Sequence, residues 1–188
     1  ATRYVELTIL LPILAFVALA AGLVVVFRRT NRIVARTREV EEFRVAVHDL
    51  ATRIDVSLEG ATGRIDSVRH HELPADALGE TITAATDAVD RYIEEAEALR
   101  PPSQAVSIQE GLIGDLGRAK RALAMVDHGA TILIAVRRGN RELEGNTSVK
   151  RGYLNLLHAR EAIARHAAMA DELATQVKDS QDVLRRSA

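Results

Sequence analysis

Apolar residues fall along this chain in two registers: one unbroken block near the start, then long stretches where they recur every three or four positions. The block, residues 7–27, reads LTILLPILAFVALAAGLVVVF and holds no charged side chain. As a helix its roughly 21 residues reach ~32 Å, the thickness of the hydrocarbon layer of a bilayer, so the block predicts a transmembrane helix. Tyr4 and Phe27 stand at its two ends, where such rings settle at headgroup level. Pro12 removes one backbone bond near the start, which a membrane span tolerates. Ala18-Leu19-Ala20 has the small-x-small form of a signal-peptidase site, but the apolar run continues to Phe27, longer than a secretory leader needs. The segment reads as an anchor.

Beyond it the period changes. No Gly or Pro occurs between Phe27 and Gly60, which predicts one helix running unbroken from the span into the following domain, roughly 50 residues and ~75 Å long. Val40, Phe43, Val47, Leu50, Ile54 and Leu58 alternate spacings of three and four, a single apolar seam. Gly60 and Gly63 weaken this helix, and the stretch from Arg69 to Pro74 reads as its end. A second helix is expected from Pro74, with Leu78, Ile82, Ala85, Val89, Tyr92 or Ile93, Ala96 and Leu99 inward, stopped by Pro101-Pro102. Ser107 and Glu110 have capping-box spacing for a third helix, which starts there or earlier, near Ser103; its seam is Leu112, Leu116, Ala119, Leu123, Val126, Ala130 and Leu133, and it closes at Arg137-Arg138-Gly139. Residues 140–147 read as a polar connector, with Thr147 or Ser148 capping a fourth helix. That helix turns Tyr153, Leu156, Ile163, Ala167, Ala170, Leu173 and Val177 inward.

The pattern therefore predicts an all-α chain. It divides into a short outside N-terminus (1–6), a transmembrane helix (7–27), a basic juxtamembrane segment continuing as helix (28–39), an antiparallel bundle of about four helices (40–178) and a polar tail (179–188). Frequent alanine at seam positions predicts close helix approach. Folding about Pro101-Pro102 would bring Asp87 and Asp90 towards Arg118 and Arg121.

Composition narrows function by exclusion. With 3% aromatic residues and no Trp, the core must be built from Ala, Leu, Val and Ile. No cysteine is present, which removes disulfides, thiolate metal sites and a thiol nucleophile. A net charge of -1 lacks the basic bias of a nucleic-acid binder.

Charge becomes informative locally. Arg28, Arg29, Arg32, Arg36 and Arg38 crowd the C-terminal flank of the apolar block, against Arg3 and Glu6 before it. The positive-inside rule then puts the N-terminus outside and the bundle in the cytoplasm of a single-pass cell-membrane protein. Arg28, Arg29, Arg32 and Arg36 are the candidate contacts to anionic lipid headgroups, worth about 1 kcal/mol each near the surface. A second apolar run, 129–136, lacks a polar face and is too short to span a bilayer. It reads as the centre of the bundle, or as a docking face for another subunit through Ile132, Ile134 and Val136.

Site chemistry is sparse. Of the histidines His48, His70, His71, His128, His158 and His166, none follows a Glu at the three-residue spacing of bundle di-iron sites, so solvated or singly hydrogen-bonded imidazoles are expected and no metal or cofactor. Phosphate-cradling loops, GxSxG and HExxH are missing. Val5-Glu6-Leu7 followed by Pro12 resembles the N-terminus of Tad-type pilin-like proteins, a resemblance confined to the first dozen residues. It implies a filament whose core is the apolar helix, with Glu6 neutralising a neighbour's N-terminal amine. The residues themselves favour a non-catalytic, membrane-anchored accessory subunit that builds or stabilises a larger membrane complex, with lipids and other subunits, or further copies of itself, as partners. A signalling bundle would need a ligand cavity between helices.

Overall fold

The computed structural model describes the backbone of residues 2–135 and 141–186. It describes the side chains of residues 35–135 and 141–183, and those of Leu19, Leu23 and Arg28. Helix α1 (Thr2–Arg69) is followed by a 3-10 turn (Ala75–Leu78), α2 (Gly79–Ala98), α3 (Val106–Ala135) and α4 (Glu142–Arg186). No strand occurs among the described residues, and the chain is all-α. The backbone of the expected span, residues 7–27, belongs to α1, but its side chains apart from Leu19 and Leu23 lie outside the described ones. Among the described residues no helix is long and apolar enough to cross a membrane.

Polar contacts give the order of the bundle. Arg53 Nη2 donates to Glu95 Oε2 at 2.6 Å and Ser57 meets Tyr92 at 2.7 Å, joining α1 to α2. Lys120 Nζ donates to Asp90 at 2.6 Å, joining α2 to α3. Ser148 Oγ donates to the Met125 carbonyl at 2.8 Å between α3 and α4, and Arg160 reaches Asp55 at 2.7 Å to close α4 onto α1. A second α4–α1 pair, Arg44 with Asp171, shows that numbers rise on one helix as they fall on the other. The helices run up, down, up and down. Hydrogen bonding from Arg53 also holds the Glu95 carboxyl below the ordinary carboxylate value.

All six seam residues of α1 from Val40 to Leu58 are buried, and the stripe continues through Ala61, Ile65 and Val68. From Phe43 onward they pack with Ile82, Val89, Leu112, Leu116, Leu123, Leu156 and Ile163 in one core. Full burial of each such Leu, Ile or Val contributes about 1.5–3 kcal/mol against the entropy of ordering the chain. The α3–α4 pair approaches more closely than side chains would allow. A Cβ on Gly129 would stand 2.8 Å from the Gly145 carbonyl, and one on Gly152 would stand 2.8 Å from the Ala122 carbonyl.

Several element ends depart from the sequence reading. The second helix enters through the 3-10 turn before Gly79 rather than directly at Pro74. Helix α3 starts at Val106, so Ser107 already lies in its first turn. Its predecessor is closed instead by Gln109, whose Nε2 donates to the Ala96 and Leu99 carbonyls at 2.8 and 2.9 Å. Helix α4 starts at Glu142, not at Thr147 or Ser148; Thr147 Oγ1 donates back to Leu143 inside the helix. The tail is helical to Arg186. Asp90 pairs with Lys120, while Arg118 turns to Asp115 on its own helix.

Helix α1 ends in a Schellman arrangement. The His71 N–H donates to the Val68 carbonyl at 3.1 Å and the Glu72 N–H to the Ser67 carbonyl at 2.9 Å. His71 takes the left-handed conformation, φ 61°, at the position glycine favours. His71→Gly is therefore expected to stabilise the bundle by about 0.5–1 kcal/mol, relief of the Cβ clash outweighing glycine's extra unfolded freedom. A thermal midpoint that stayed level or fell would refute this.

Candidate functional site

The inward stripe of α3 contains one charged residue. Asp115 follows Leu112 by three positions and precedes Ala119 by four, which aims it at the core, where it is buried. A buried carboxylate is costly unless its oxygens are paired. Both are. His166 of α4 lies at 2.8 Å from Oδ2 through Nε2, and Arg118 Nη1 donates to Oδ1 at 2.5 Å. With Asp115 ionised, the Nε2–H of the imidazole is the donor, which fixes the tautomer unless the ring is protonated. His166 Nδ1 is buried and meets no hydrogen-bond partner among the described residues. The ring occupies the space above Gly111, where a Cβ would come within 2.4 Å of its Cε1.

The trio links α4 to a surface arginine of α3 through one buried carboxylate. An Asp–His pair becomes a nucleophile relay when the far imidazole nitrogen meets a hydroxyl or thiol, and none stands there among the described residues. The carboxylate instead anchors Arg118, whose side chain is otherwise exposed. Among the described residues no group of three or more His, Cys, Asp or Glu is placed to hold a metal ion.

Arg118 stands at one end of a groove of about 490 Å³ between α3 and α4. Ala122, Ala159 and Ala162 form its floor, and their small side chains open the space. Arg121, Arg165, His158, Asn155 and Met125 complete the lining, which sets three guanidiniums against the single carboxylate of Asp115. Arg165 also contacts Glu161 at 3.1 Å on the exposed rim.

The residues singled out from sequence lie elsewhere. Arg28 and Arg36 are exposed, while the side chains of Arg29 and Arg32 lie outside the described residues. Ile132 is buried and Ile134 is 56% exposed, so the apolar run is not enclosed on all sides; Val136 lies outside the described residues. Leu19 and Leu23, one helical turn apart, are 68% and 63% exposed. His48 and His70 sit on the surface beside Asp171 and Asp66. The sequence reading did not single out Asp115, and for His166 it gave only the general expectation of a solvated or singly hydrogen-bonded imidazole, which its one bond to Asp115 meets; their places on apolar stripes, His166 three residues after Ile163, were the available signal for the pair. No family model, no curated protein and no solved structure matches the chain.

Proposed function

We propose that this protein is a membrane-anchored helical subunit that positions or stabilises a larger membrane complex without performing catalysis. The observation that carries the reading is α1 itself, one helix from Thr2 to Arg69 that holds both the apolar block and the first seam of the bundle. At 1.5 Å per residue its 68 residues reach ~100 Å. A helix continuous through both regions sets the height and rotation of the bundle relative to the bilayer, as a spacer or docking arm requires. The uncharged run of residues 7–27, the arginines after it, and the uncovered Leu19 and Leu23 support an anchor with the bundle on the cytoplasmic side. Exposed arginines at Arg28 and Arg36 suit anionic headgroups.

The test joins location to assembly. The full chain should remain in the membrane pellet after alkaline carbonate extraction and should migrate in mild detergent as part of a discrete larger assembly. Val34→Pro removes a backbone bond and wedges a ring against the preceding turn, costing about 3 kcal/mol or more locally. This variant should stay in the membrane yet leave the assembly. A wild-type chain found in the soluble fraction, or a proline variant that kept its assembly at wild-type level, would end the proposal.

A further inference from the structure

We infer that the groove between α3 and α4 is a binding site for a small, soluble, multiply charged oxyanion of the phosphate-ester class. Three observations converge. The lining carries Arg118, Arg121 and Arg165 against one carboxylate, a local excess of positive charge in a chain whose net charge is -1. That carboxylate, Asp115, is already used: His166 holds one oxygen and Arg118 the other, so it fixes a guanidinium at the groove instead of repelling an anion. An arginine held in place before the ligand arrives loses less freedom on binding, and its planar fork matches two oxygens of one phosphate. The volume, about 490 Å³ over an alanine floor, suits a small molecule.

Charge spread along the groove calls for a ligand with more than one anionic group. An acidic competitor beside the groove, Glu161, makes an exposed contact with Arg165 of the kind that contributes little and yields readily to a phosphate. Lipid headgroups are the other source of phosphate chemistry, and position argues against them. Asp55 of α1, which pairs with Arg160 at the level of the groove, is ~30 Å of helix beyond Arg36. Under the anchored reading that is several Debye lengths from the bilayer surface at physiological salt. The site itself rests only on the bundle.

Inorganic tripolyphosphate serves as the probe, titrated by calorimetry at low ionic strength into the full chain held in phosphatidylcholine nanodiscs. Saturable binding of one equivalent is expected. Arg121→Ala/Arg165→Ala should weaken it at least tenfold. Both side chains are exposed, so the fold should be kept, as circular dichroism would verify. Lys150→Ala/Arg151→Ala, outside the groove, should bind within twofold of wild type. No saturable binding, or equal binding by the groove variant, would overturn the proposal. So would loss of binding on replacing Arg28 and Arg36 alone, since that places the anion at the membrane flank. Salt-sensitive self-association abolished by the groove variant, without tripolyphosphate binding, would likewise overturn it in favour of an acidic protein surface.

Discussion

Gly152→Val should unfold the bundle or force α3 and α4 apart. A Cβ at that position would lie 2.6 Å from Val126 Cγ2, 2.8 Å from the Ala122 carbonyl and 2.9 Å from the Val126 nitrogen. Two of those three atoms are backbone, so no rotamer change relieves the clash. Overpacking in a core costs about 1–3 kcal/mol when side chains adjust, and a helix displaced bodily costs more. The expected loss is about 3 kcal/mol or more, a large share of the stability of an ordinary domain. The matched control is Gly114→Ala on the exposed side of α3, where an added Cβ meets nothing within 4 Å. There the normal preference of helices for alanine applies, and a gain of about 0.5–1 kcal/mol is expected. Urea denaturation of the two variants decides the matter. Similar midpoints would mean that α3 and α4 do not approach as closely as described.

The second large effect belongs to the buried pair. Asp115→Ala strips His166 of its Nε2 partner when its Nδ1 already lacks one. Leaving a buried donor without its acceptor costs about 1–3 kcal/mol, the desolvation of a group that can no longer be paired. Replacing both residues by leucine removes the unsatisfied groups together, and the double variant should recover most of the loss. Additive losses across the double-mutant cycle, measured by chemical denaturation, would show that the two residues act independently. Gly111→Ala offers an indirect route to the same contact, since its methyl group would push the His166 ring off Asp115.

Much of the bundle is legible in the sequence because apolar spacing survives folding: Val40 to Leu58 and Leu112 to Ala130 are buried where their period places them. What escapes is what one residue type can mean twice. Gly145 beside Asn146 has the look of a linker, yet it lies within α4, where a Cβ would stand 2.8 Å from Leu133. A helix breaker and a close-contact residue are the same amino acid, and only the facing helix tells them apart. The candidate site escapes for a related reason. Asp115 and His166 are separated by 51 residues, so each alone is an isolated polar interruption of an apolar stripe. Their pairing depends on the register between α3 and α4, which single-helix periodicity does not contain. The ion pair of Asp90 shows the same limit: the turn at Pro101-Pro102 predicts a basic partner on α3, but the rotation of that helix selects Lys120.

The closure of α4 onto α1 has a consequence for the order of events during synthesis. The contact between Asp55 and Arg160 joins residues 105 apart, whereas α3 and α4 meet across one short connection. Long-range contacts repay their loop-closure entropy late, so the α3–α4 hairpin is the natural nucleus and the α1–α4 seam the last contact to close. Yet α1 leaves the ribosome first. At about 5–20 residues per second, roughly 5–20 s separate the appearance of its seam from that of the helix that covers it. During that interval the stripe from Val40 to Ile65 has only α2, and then α3, to shelter it. Substitutions in the hairpin should therefore slow folding, while those at the α1–α4 seam should chiefly hasten unfolding.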